Sequence, residues 1–169
     1  PRPGAKLLER VVTRIYTPGS LYEEGLLDGD EQSLLAALVL GNDSLGLAVI
    51  DASTGKAWAC SHEGNDRFLR LQDDLLRWQP NELVITPKDA EHQQLGRLFP
   101  HLDGTMVSQH NLSPIKRKER LQTMLQVADL GHLDLDHAPL AISATGLAAD
   151  YLATVCLLYT SDAADEYDR

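Results

Sequence analysis

The order in which hydrophobic periodicity changes along this 169-residue chain predicts an α/β protein with a mixed five-stranded sheet and flanking helices. Three observations carry the prediction. First, Leu34 to Leu40, Leu45 to Asp51 and Lys56 to Ser61 are apolar runs separated only by Gly41-Asn42-Asp43 and Ala52-Ser53-Thr54-Gly55. Turn formers at that spacing join antiparallel strands into a meander. Second, the period becomes helical after Ser61, with Phe68, Leu71, Leu75 and Trp78 on one side and Arg70, Asp73 and Asp74 on the other. Third, short strands and helices alternate from there on, and strands joined through helices pair in parallel by right-handed crossovers.

Taken in order, Val11 to Tyr16 reads as a strand that leaves through Thr17-Pro18-Gly19, and an acidic connector with Glu23, Glu24, Asp28, Asp30 and Glu31 precedes the meander. Pro80 ends the first helix. Leu83 to Thr86, closed by Pro87, reads as a buried strand, and Lys88 to Phe99 as a helix that Gly96 weakens. Thr105 to Ser108 supplies the fifth strand. Ser113-Pro114 has the form of an N-cap followed by proline at the first helical position, opening a helix with the stripe Leu121, Met124, Leu125 and Ala128. After a loop at Gly131 to His137, an Ala- and Leu-rich helix runs from about Leu140. The order βββ-α-β-α-β-α is that of a ribonuclease H-like three-layer fold.

A net charge of −10 argues against a domain that holds duplex nucleic acid by its own field, because phosphate neutralisation needs clustered Lys and Arg. No apolar run approaches the ~18 residues of a membrane span. The two cysteines, Cys60 and Cys156, stand far apart without a Cys-rich spacing, which fits a reducing compartment better than a disulfide framework.

Several constellations offer chemistry. Asp51 ends an apolar strand where two-metal nucleases of this fold keep a carboxylate, yet the strand ending in Thr86-Pro87 brings no acid and Asp150 is an isolated second candidate. As a structural residue, Asp51 caps the turn through Gly55, since Asp binds backbone amides two residues on. His132, Asp134, Asp136 and His137 hold metal-binding residue types at no standard spacing, and a solvated loop with Asp136 capping the next helix accounts for them. Ser53-Thr54-Gly55-Lys56 shares a Gly-Lys pair with phosphate loops but has Ile50 in place of the first Gly and Ala57 in place of the hydroxyl residue. A hairpin turn is the better reading. Lys116, Arg117, Lys118 and Arg120 form the one dense basic cluster, a candidate partner-contact surface set against a plain solvated helix face. Cys60, beside Trp58, reads as a small packing residue and not a nucleophile. These residues assign no catalytic, cofactor-binding or metal site.

The string Cys156-Leu157-Leu158-Tyr159-Thr160-Ser161-Asp162-Ala163-Ala164-Asp165 matches the translation of a transposase adapter used in sequencing libraries. Residues 156–169 are therefore expected to lie outside the natural protein.

Val12-Thr13-Arg14-Ile15-Tyr16-Thr17-Pro18-Gly19-Ser20-Leu21, then Leu45 to Lys56 (Leu-Gly-Leu-Ala-Val-Ile-Asp-Ala-Ser-Thr-Gly-Lys), and more weakly Gln79-Pro80-Asn81-Glu82-Leu83, resemble the MutS family of DNA mismatch repair proteins. The likeness covers about residues 9 to 152. It implies that residues 1–19 end a truncated mismatch-binding domain, 20–33 form a linker and 34–155 form the connector domain, a ribonuclease H-like unit without nuclease activity. In that family a Phe-x-Glu motif reads the mismatch, whereas Phe68 is followed here by Leu69-Arg70 and Phe99 by Pro100-His101. The resemblance implies a part that binds no cofactor itself, the parent using ATP and Mg in a distant domain. It also implies a dimeric, cytoplasmic bacterial parent that meets mismatched duplex DNA, and a MutL-like partner for the connector. The alternatives are a small metal-dependent nuclease of the same fold and a stand-alone interaction domain.

Overall fold

A computed structural model describes residues 33–126, 130 and 138–157, with side chains through residue 155. The strand expected at Val11 to Tyr16, residues 20–32 of the expected linker, the loop at Gly131 to His137 and all of the expected tail beyond Leu157 lie outside the described residues.

Five strands form one sheet in the order β3-β2-β1-β4-β5. β1 (Leu34–Leu40), β2 (Ser44–Asp51) and β3 (Ala57–Glu63) are the antiparallel meander, with Leu34 opposite Asp51 and Leu45 opposite His62. β4 (Glu82–Ile85) pairs in parallel with β1, and β5 (Met106–Gln109) in parallel with β4. The mixed five-stranded α/β sheet is the predicted one, with strand ends moved by a residue or two.

β1 is apolar at every position because it is covered on both faces. Leu34, Ala36 and Leu38 point to one side, where Leu71 and Leu75 of α1 (Arg67–Trp78) and Leu95 and Leu98 of α3 (Gln93–Leu98) complete a core. Leu35, Ala37 and Val39 point to the other, against Ala144, Leu147, Ala148 and Tyr151 of α5 (Pro139–Leu157). Small residues on both sides of this second layer let α5 lie close to the sheet. At Gly46 of β2 a side chain would overlap the backbone at Leu140, and at Gly146 of α5 it would overlap the carbonyl of Arg117 in α4 (Pro114–Leu125). Both positions need glycine for backbone approach.

Three expectations are corrected. Lys88 to Phe99 is not one helix: α2 (Pro87–Ala90) and α3 are separated at His92, whose extended backbone and ring accepting from the Gln94 amide start a new helix, and a 3₁₀ turn, Phe99–His101, follows. Ser113 has the backbone of an N-cap but makes no side-chain cap bond. In the expected stripe of α4 only Leu121 is buried, while Met124 and Leu125 are exposed, and the buried position one turn before Leu121 is the polar Arg117. Ala128 lies outside the described residues. α5 begins at Pro139, within a residue of the expected start, and runs to Leu157.

Candidate functional site

After β1 the chain turns to one side of the sheet, and β4 and β5 return on the other. The crevice outside the carboxyl ends of β1 and β4 is therefore a topological switch point, the usual place for a site in an open sheet. A cavity of about 570 Å³ lies there, bordered by Leu40, Thr86, Asp89, Asn111, Arg117 and Ser143 among others. Thr86 caps α2, its Oγ1 accepting from the Asp89 amide at 3.1 Å. That turn swings the buried Asp89 carboxylate back over β1, where it accepts from the Leu40 amide at 3.3 Å.

Arg117 reaches the crevice from α4. Its Nε donates to the Leu112 carbonyl at 2.8 Å and one terminal nitrogen to Ser143 Oγ of α5 at 3.0 Å. Burial lowers the guanidinium's proton affinity, and the nearby charge of Asp89 partly restores it. The predicted basic cluster is thus divided by helix geometry. Arg117 is buried and holds α4 to α5, Arg120 faces Asp150 at 3.4 Å, and only Lys116 and Lys118 are exposed cations.

Asp51 sits at the opposite end of the sheet, beside the start of β1. Its Oδ1 accepts from the Ser53 amide at 2.9 Å and the Ser53 hydroxyl at 2.6 Å, and its Oδ2 from the Thr54 hydroxyl at 2.7 Å. Burial alone would raise its pKa, but the bonds from Ser53 and Thr54 outweigh it, leaving the carboxyl below its ordinary value. The turn through Gly55, at φ 70°, closes onto the strand with the Gly55 amide on the Asp51 carbonyl at 2.8 Å. This is the capped hairpin turn, and Lys56 is exposed beside it. Asp150 instead accepts from or pairs with His110 at 2.8 Å, on the β5 side. Asp51 and Asp150 therefore belong to different hydrogen-bonded groups. His132, Asp134, Asp136 and His137 lie outside the described residues.

Sequence reasoning missed two polar groupings. Glu82, wholly buried, accepts from the hydroxyls of Ser108 and Tyr151 and so ties β4 to β5 and α5. Cys60, His62 and Asp74 bring three ligand-type side chains together where α1 crosses β3. The alternation of a strand places Cys60 and His62 on one face, a signal the sequence contains. Asp74 joins them only through tertiary packing.

Comparison with known proteins settles the ancestry. The family described as MutS domain II matches residues 33–160, most of the chain. The chain belongs to the MutS family. Among relatives, it is similar to the DNA mismatch repair protein MutS of Trichormus variabilis, 34% identical over 157 residues, which is 86% of this chain and 18% of that protein. The MutS of Acaryochloris marina is 34% identical over 164 residues, 90% of this chain and 18% of that protein. That of Nostoc punctiforme is 34% identical over 158 residues, 87% and 17% respectively. This MutS-family chain thus spans under a fifth of the length of the relatives it matches. Among its described residues, no helix is long and apolar enough to cross a membrane.

Proposed function

We propose that this chain is the connector portion of a MutS-like mismatch repair protein, a noncatalytic body that couples a mismatch-reading part to lever and ATPase parts and offers a docking surface to a MutL-like protein. The observation that carries the reading is the match of MutS domain II to residues 33–160. The sheet order β3-β2-β1-β4-β5, antiparallel on one side of β1 and parallel on the other, supports a ribonuclease H-like architecture for residues 34–155. ATP with Mg, mismatched duplex DNA and dimerisation belong in this reading to the parent protein, a cytoplasmic one.

The chemistry of the crevice supports a mechanical role. Two metal ions ~4 Å apart call for several convergent carboxylates. The crevice lining supplies Asp89, and that side chain is engaged with Leu40 and held near Arg117. Asp89 instead ties α2 to the end of β1, and Arg117 with Ser143 ties α4 to α5, which packs on β1 and β4, so a displacement of α4 is passed through α5 to the sheet. Lys116 and Lys118, exposed on α4, are the docking candidates that remain from the basic cluster.

The test is retention of a cyanobacterial MutL on the immobilised chain, run beside incubation of the chain with duplex DNA and Mg²⁺ or Mn²⁺. Retention that falls in the Lys116→Glu, Lys118→Glu variant, with the DNA left intact, is the expected result. Metal-dependent cleavage abolished by Asp51→Asn, without retention of MutL, overturns the proposal in favour of a nuclease.

A further inference from the structure

β3 is an edge strand, and its inward face carries Cys60 and His62 two residues apart, under α1. Asp74 of α1 points back at both. His62 Nε2 lies 2.7 Å from Asp74 Oδ2, Cys60 Sγ lies 3.6 Å from the same oxygen, and Cys60 Sγ and His62 Nε2 are 3.7 Å apart. One sulfur, one imidazole nitrogen and one carboxylate oxygen thus converge on a single point, partly buried, with side-chain exposures of 15% and 20% for His62 and Asp74.

We propose that Cys60, His62 and Asp74 bind one Zn²⁺ ion, clipping the edge strand β3 to helix α1. Zinc takes S, N and O donors tetrahedrally, and its usual bond lengths place a sulfur ~3.5 Å from a neighbouring N or O ligand and an N and O ligand ~3.3 Å apart. Both sulfur separations already match. The imidazole and carboxylate need to part by about half an ångström, replacing their mutual hydrogen bond by bonds to the metal. The charges also close, since a thiolate and a carboxylate neutralise a divalent ion.

The fourth position faces an open cavity of about 230 Å³ bordered by Trp58, Trp78, Leu47 and Val49, where water completes the tetrahedron. The Trp58 and Trp78 rings, 4.6 Å between centroids and tilted by 39°, pack across the same β3–α1 junction. Without metal, burial, then the charge of Asp74 and its hydrogen bond, push the Cys60 thiol up to about 11. Binding breaks the S–H bond, forms a Zn–S bond and passes the thiol proton to solvent.

The experiment titrates the untagged full chain with Co²⁺ and Zn²⁺. One Co²⁺ per chain, giving a thiolate-to-cobalt charge-transfer band and the visible bands of tetrahedral cobalt, both bleached by one equivalent of Zn²⁺, is the expected result. The signal persists in Cys156→Ser and in His132→Ala, His137→Ala, which remove the other thiol and the other histidine cluster. It is lost in Cys60→Ser. In the near-isosteric Asp74→Asn, which keeps the fold by circular dichroism, affinity falls at least tenfold. Failure to bind, cobalt bound without the sulfur band, or uptake unchanged in Asp74→Asn overturns the proposal. MutL retention is measured on the same variants, so loss of the zinc site and loss of the docking reading are told apart.

Discussion

At the scale of single residues, the polar side chains do structural work that their type alone does not reveal. Asp51 holds a turn: bonded to Ser53 and Thr54, its carboxyl stays ionised to lower pH than in the unfolded chain, so its stabilising effect is present above the ordinary carboxylate pKa and fades as pH falls through the depressed folded value. Asp51→Ala is expected to cost about 2 kcal/mol at pH 7, the scale of charged hydrogen bonds lost from a buried site. The difference between wild type and variant should shrink as denaturation is repeated at progressively lower pH below 3.8. A constant difference from neutral pH into strong acid refutes the assignment. Arg117 and Lys118 test the division of the basic cluster. Arg117→Ala strands Asp89 without its nearby charge and frees the Leu112 carbonyl, an expected loss of about 3 kcal/mol, whereas the exposed Lys118→Ala stays within about 0.5 kcal/mol in urea unfolding.

At the scale of elements, two glycines within helices should answer in opposite directions. Glycine inside a helix costs up to ~1 kcal/mol relative to alanine, so alanine normally stabilises. At Gly96 of α3 a Cβ meets nothing within 4 Å, and Gly96→Ala is expected to raise the melting temperature by a few degrees. At Gly146 a Cβ would strike the Arg117 carbonyl, a backbone atom that cannot turn away, so Gly146→Ala is expected to lose about 1–3 kcal/mol despite the better propensity. Calorimetry of the two variants checks both signs. The contrast separates what is local in the sequence from what only packing decides. The meander, α1 and the parallel pair could be read because periodicity and turn chemistry are local. The break at His92 could not, since it depends on a ring capping its own helix. The exposed Met124 and Leu125 mislead for a related reason: α4 turns Arg117 inward, and only the position of Ser143 and Asp89 explains why a charge outcompetes two apolar residues for the interior. Of the site, the lone Asp51 was read correctly as a cap, because Asp-x-Ser-Thr is a local pattern. The pairing of Asp74 with Cys60 and His62, and of Glu82 with Tyr151, joins residues distant in sequence and needed the fold.

At the scale of the whole molecule, the sheet is organised around β1, which has a hydrogen-bonded neighbour on each side and a helical layer on each face. A body proposed to pass a rearrangement from one neighbour to another must move as a unit, so opening of its centre should cost the full unfolding free energy while its margins open more easily. β5, four residues long, bonded on one side and mostly exposed, and β3, exposed over its first half, are those margins. Native-state amide exchange is expected to show β1 and β4 exchanging only through global unfolding, β3 and β5 exchanging faster, and added Zn²⁺ slowing β3 and α1 selectively if the Cys60–His62–Asp74 clip forms. Metal protection of one edge with β5 unchanged is the pattern a local clip must give, because β3 and β5 share no hydrogen bond and are separated by the three inner strands. Exchange in β1 as fast as in β5 would mean that the sheet is not one cooperative unit, and a joint that softens at its centre transmits no displacement from α4.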